Sequence, residues 1–146
     1  QTDQLGFDIS DLEGLTKLSN IEGLDGTTLT NGMTMAVLEV NATAAVDLDS
    51  SDTGKDIALF SGTYDTAAAL QADLRSNLTV AANFGAADGF LAAYDNGTNT
   101  TIALVTTAAG VNNTTFSDAI VTDLATLSGL ADCTTIAAAN LLGIVS

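Results

Sequence analysis

The chain has 146 residues, enough for one domain that buries most of its apolar surface. It carries 3 Lys and Arg against 18 Asp and Glu, a formal charge of −15, and has no His, Pro or Trp. Such a balance repels nucleic acid and anionic membrane surfaces, which are held through Lys and Arg, and makes cations the natural small partners. From Leu5 to Leu29 a Leu or Ile recurs every few residues between Gly and acids, with "LEGL" and "IEGL" placing Gly14 and Gly23 alike. Each Gly costs a helix about 1 kcal/mol, so short strands and turns are expected here, with one helical turn near Asp11. "MTMAVLEVNATAAVDLD" alternates as a strand, with Met33, Met35 and Val37 on one face and Ala36, Leu38 and Val40 on the other, before a short strand at 45–48.

"SSDTGKD" reads as a loop, "IALFS" as a strand, and the following segment as the best helix, over 66–76. Asp65 or Thr66 offers the N-cap, and Leu70, Leu74 and Leu78 form one stripe. The run "AAYDNGTNTTIALV" predicts a hairpin with Asn96-Gly97 as a two-residue type I′ turn. That turn sets Tyr94 opposite Asn99 and Leu91 opposite Ile102. Leu91, Ile102 and Leu104 then share one face, and Phe90, Tyr94, Ala103 and Val105 the other, so the hairpin sits centrally in its sheet. A short helix over 116–121 and a strand over 124–127 follow, and the apolar tail fits either state.

The expected fold class is α+β, β-rich, an antiparallel sheet with one or two short helices packed on it; a small β-sandwich is the alternative. One domain over 1–146 is expected, with 1–31 as an N-terminal assembly segment.

Without His the chain lacks the commonest general base and zinc ligand, and no Walker loop, GxGxxG or CxxC pair is present, so no enzyme is expected. Cys133 reads as a small buried hydrophobe. The acidic run gathers Asp47, Asp49, Ser51, Asp52 and Asp56. Alternate acids resemble the start of an EF-hand loop, but Asp52 stands where Gly is needed and Ala58 where Glu is needed. The run reads either as an irregular calcium loop, with calcium the one cofactor expected, or as a solvated acidic turn.

"DIALFSGTYDTAAALQADL", "DGFLAAYDNGTNTTIALV", "FSDAIVTDLATLSGL" and "IAAANLLGI" resemble the C-terminal regions of bacterial RTX-type proteins exported by type I secretion, over 56–146. The nonapeptide calcium repeat of that family is absent, so its calcium coils are not carried over. The resemblance implies an extracellular or cell-surface protein. The expected function is a secreted structural protein whose subunits assemble into a filament or surface layer. The alternative is a calcium-stabilised adhesin or secretion module of a larger protein. Expected partners are other copies of the chain and divalent cations, with no nucleic acid and no membrane insertion. Starting at Gln1, the chain reads as a processed form or a fragment of something longer.

Overall fold

A computed structural model describes residues 5–9, 12–13, 20–24, 26, 28–29, 35–48, 54–79, 88–107 and 117–143. The strands are β1 (Leu5–Phe7), β2 (Asn20–Glu22), β3 (Val37–Asn41), β4 (Val46–Asp47), β5 (Ile57–Thr63), β6 (Leu78–Thr79), β7 (Asp88–Asp95), β8 (Thr100–Thr107), β9 (Ala119–Leu127) and β10 (Leu141–Gly143). Helix α1 spans Ala67–Asn77, and 3-10 turns cover Cys133–Thr135 and Ala138–Asn140. The fold class is α+β and β-rich, with α1 packed on a six-stranded sheet.

The sheet is mixed rather than antiparallel throughout. Its path is β3-β5-β7-β8-β9, with β3, β5 and β7 parallel and β7, β8 and β9 antiparallel. The parallel half follows from the connection: α1 lies between β5 and β7, and a crossover of that length returns the next strand in the same direction. Strand β2 pairs parallel with the first part of β7, at Asp88 to Phe90, and β5 takes over from Leu91.

Helix α1 forms where its local signals agree. The Thr66 hydroxyl accepts the Ala69 N–H at 3.3 Å, and the Ala- and Leu-rich turns that follow favour helix. Leu70 and Leu74 are fully buried, against a sheet face where Ala58, Ala92 and Ala103 make room between Phe60, Phe90 and Tyr94. Burying each leucine contributes about 2 kcal/mol. The opposite face packs Ile57, Leu59, Leu91, Ile102 and Leu104 against Cys133, Ile136 and Leu141 from the C-terminal segment and Ile9, Ile21 and Leu29 from the N-terminal one. The chain is thus layered on both sides of its sheet, and the stretch expected to serve assembly supplies core residues. Within it, β1 pairs parallel with β10 of the same chain.

The hairpin forms with a wider turn than the sequence predicts. Asp95 faces Thr100, Tyr94 faces Thr101 and Leu91 faces Leu104, leaving Asn96 to Asn99 as the loop. The Asn96 side chain accepts the N–H groups of Thr98 and Asn99 at 3.1 and 2.9 Å, holding the loop open, while Gly97 takes φ 78°. The register moves by two, and because side chains alternate with period two, both predicted faces survive. The helix expected over 116–121 is not formed: Ser117 and Asp118 make a turn and β9 begins at Ala119.

Candidate functional site

The acidic run is only partly in view. Asp49, Ser51 and Asp52 lie outside the described residues. Asp47 ends β4 and pairs with Thr79 of β6. Asp56 is buried, and its carboxylate accepts the Ala36 N–H at 2.7 Å while its own N–H donates to the Ala36 carbonyl at 2.9 Å. It thereby holds the entry to β3 in line with β5. Among the described residues, no three metal-ligating side chains converge.

At the C-terminal ends of β5 and β7 lies a polar hollow of about 380 Å³. Ser61 and Thr63 reach it from the end of β5, where a register shift and Gly62, at φ 108°, bend the strand. Asp95, Asp132, Thr134 and Glu39 complete the wall. The carboxylates here serve backbone donors. Asp95 accepts the N–H groups of Gly97 at 3.0 Å and Cys133 at 3.1 Å; Asp132 accepts the Thr134 N–H at 2.9 Å and its hydroxyl at 2.7 Å. A general base needs a lone pair aimed at substrate, whereas these lone pairs fix a turn. Behind them Cys133 is fully buried, as the sequence suggests, and burial followed by the Asp95 charge pushes its thiol up to about 12. That thiol is not a nucleophile.

An apolar groove of about 330 Å³ runs between Leu5, Leu127, Leu130, Ile136 and Leu141.

The edges of the sheet differ from one another. At the β9 edge, α1 reaches across: Arg75 Nε donates to the Ala119 carbonyl at 2.8 Å, and Gln71 accepts the Val121 N–H at 3.1 Å. These side chains replace two bonds a further strand would make. A bulge follows, since Ala103 faces Asp123 and Ile102 faces Ala125, leaving Leu124 over. At the β3 edge the ladder with β5 is regular over all five pairs, and no described residue pairs with its outer side. Val37 and Leu38 are half-buried there and Glu39 is exposed. Because the Ala36 carbonyl accepts from Ile57, the even residues of β3 face β5, and the N–H and C=O groups of Val37 and Glu39 point outward, while the outward carbonyl of Asn41 accepts the Ala44 N–H at 3.4 Å.

Compared with known proteins, the chain matches no family model, no curated protein and no solved structure. No helix among the described residues is long and apolar enough to cross a membrane.

The sequence points to an alternating strand in this stretch, and β3, over Val37–Asn41, forms an edge of the sheet. It does not point to Asp95 or to the Gln71 and Arg75 contacts. Both link residues far apart in the chain, 38 and 44 to 50 positions, beyond any local pattern.

Proposed function

We propose that this chain is a secreted extracellular structural subunit that assembles with copies of itself into a filament or surface layer. The observation that carries the reading is the regular outer edge of β3, with no described partner for the outward backbone groups of Val37 and Glu39. Such an edge is a template for another strand, and natural proteins that stay apart blunt it with bulges, Lys, Pro or a covering element. Among the described residues the chain covers and bulges β9, while β3 is left uncovered and regular, with the charge of Glu39 as its one guard. The extracellular location rests on the acidic composition and on the resemblance to type I-secreted proteins.

A charge of −15 per subunit opposes assembly, and this repulsion is screened over about 8 to 10 Å at physiological salt. Assembly therefore strengthens with salt and with divalent cations. Light scattering and negative-stain microscopy across a salt series, with and without millimolar calcium, test this. Assemblies that grow with salt support the reading, and a strictly monomeric species throughout overturns it.

A further inference from the structure

We infer that the contact made by β3 is with β3 of a second copy, antiparallel about a two-fold axis passing between the two Leu38 residues. The inference rests on the self-assembly reading and deepens it by naming one contact and its register: this contact closes a dimer, the unit that a second, different contact would extend into a filament or layer.

Self-pairing follows from the contrast between the edges. The first part of the β9 edge is occupied by Gln71 and Arg75 and the next part is bulged, so it offers no straight partner for β3. Of the two ends of the six-stranded sheet, β3 is the open one among the described residues; an open edge can meet its own copy, and two copies of one strand related by a two-fold axis run antiparallel. In that arrangement residue numbers across the contact add to a constant. Outward-facing groups sit on odd residues, so hydrogen-bonded pairs join odd to odd, and the constant is even.

Three even registers keep the overlap within this edge. A sum of 78 sets Glu39 directly against Glu39 of the other copy, which like-charge repulsion disfavours in a chain that already carries −15. A sum of 80 centres on Val40 and pushes the overlap into residues 42–44, where the chain has left the strand; the Asn41 side chain accepts the Thr43 N–H at 3.1 Å in that turn. A sum of 76 centres on Leu38. Val37 then exchanges backbone bonds with Glu39 on both sides of the axis, and Ala36, held straight by Asp56, faces Val40. The two Glu39 side chains lie on a diagonal, about 7 to 8 Å apart at the backbone. Leu38, half-buried against the α1 side of the sheet, meets its own copy and covers the apolar surface that each leaves open.

Leu38 faces β5 with its N–H and C=O, so across the axis it forms a non-hydrogen-bonded pair with Cα atoms about 4.5 Å apart. That spacing accepts a disulfide. The experiment is mild oxidation of Leu38→Cys and of Glu39→Cys in the full chain, read on a non-reducing gel; Cys133 is buried and stays out of the reaction. Leu38→Cys is expected to give a covalent dimer that reduction reverses, and Glu39→Cys to remain monomeric. Efficient cross-linking of Glu39→Cys instead overturns the register. Glu39→Pro is the second variant, because it removes an outward N–H and leaves the bonds to β5 in place. It is expected to keep the circular dichroism of the parent and to lose the dimer in light scattering. If neither cysteine variant cross-links, or Glu39→Pro still dimerises, while the parent assembles, the β3 contact is wrong and self-assembly stands. If the parent never associates, the self-assembly reading itself has failed.

Discussion

The Asp95 carboxylate accepts the backbone N–H of Cys133 at 3.1 Å, tying the end of β7 to a turn 38 residues further along the chain. Its other oxygen accepts the Gly97 N–H at 3.0 Å, and the side chain is only 7% exposed. One carboxylate thus fixes both the hairpin loop and the segment that covers the sheet. Nearby, Thr100 adds a parallel tie, donating its hydroxyl to the Leu130 carbonyl at 2.8 Å.

Hydrogen bonds to a charged group contribute about 1.5 to 3 kcal/mol, and removing the acceptor strands the Cys133 N–H in the interior. Asp95→Ala is therefore expected to cost about 3 kcal/mol. Asn96→Ala, which loses only bonds within an exposed loop, is expected to cost about 1 kcal/mol. Urea unfolding compares them through the midpoint at constant slope. Equal losses would show that Asp95 does not latch the C-terminal segment.

Tyr64 and Tyr94 meet edge to face, with ring centroids 6.5 Å apart at 87°. Tyr64 donates to Asp73 at 3.1 Å and Tyr94 to Asp123 at 2.8 Å. Burial first, and then the neighbouring carboxylate, pushes both hydroxyls from 10.0 up to about 12. Because the folded value lies above the unfolded one, this stabilisation is complete below pH 10 and is lost as pH rises toward 12. The melting temperature is expected to fall across that window. Tyrosinate absorbance should rise near pH 12 in the native protein and near pH 10 in denaturant. A native transition at the ordinary value would refute the coupling to Asp73 and Asp123.

Cys133 donates its thiol to the Phe60 carbonyl at 3.3 Å from a fully buried position. With the thiol held up to about 12, thiol reagents at neutral pH are expected to leave the native chain untouched and to label it once per chain in denaturant. Labelling of the native protein at the denatured rate would place Cys133 in contact with solvent.

What could be read from the sequence was local. The Thr66 cap and the stripe of Leu70, Leu74 and Leu78 follow one another in steps of four, and the structure keeps all of them, with Leu78 as the residue that ends α1. The faces of the β7–β8 hairpin were legible because alternation is insensitive to a two-residue shift, whereas the register depended on the Asn96 side chain. At the start of β9 the structure alternates, with Ala119 and Val121 buried and Ile120 exposed, a stretch too short for the period of two to outweigh the helix read over 116–121. The order β3-β5-β7 joins strands across long connections, and nothing local encodes it. The acids were visible as charge but not as structure: Asp56 and Asp95 owe their roles to backbone donors supplied from distant segments.

The covering of β9 by α1 yields the last prediction. Strands β3 and β9 run in the same direction at opposite ends of the sheet, so pairing between them would join copies head to tail without closing. Gln71 and Arg75 occupy the β9 groups that such a contact needs first. Replacing both with Ala keeps α1, since Ala is the best helix former, and removes two hydrogen bonds worth about 1 kcal/mol each. The double variant is expected to lose about 2 kcal/mol in urea unfolding and to form larger, less regular aggregates than the parent at equal salt, measured by light scattering. Arg75→Lys alone, which keeps the charge but loses the guanidinium geometry, should show a smaller part of both effects. A double variant that loses stability without any change in association would mean that α1 braces β9 but does not guard its edge.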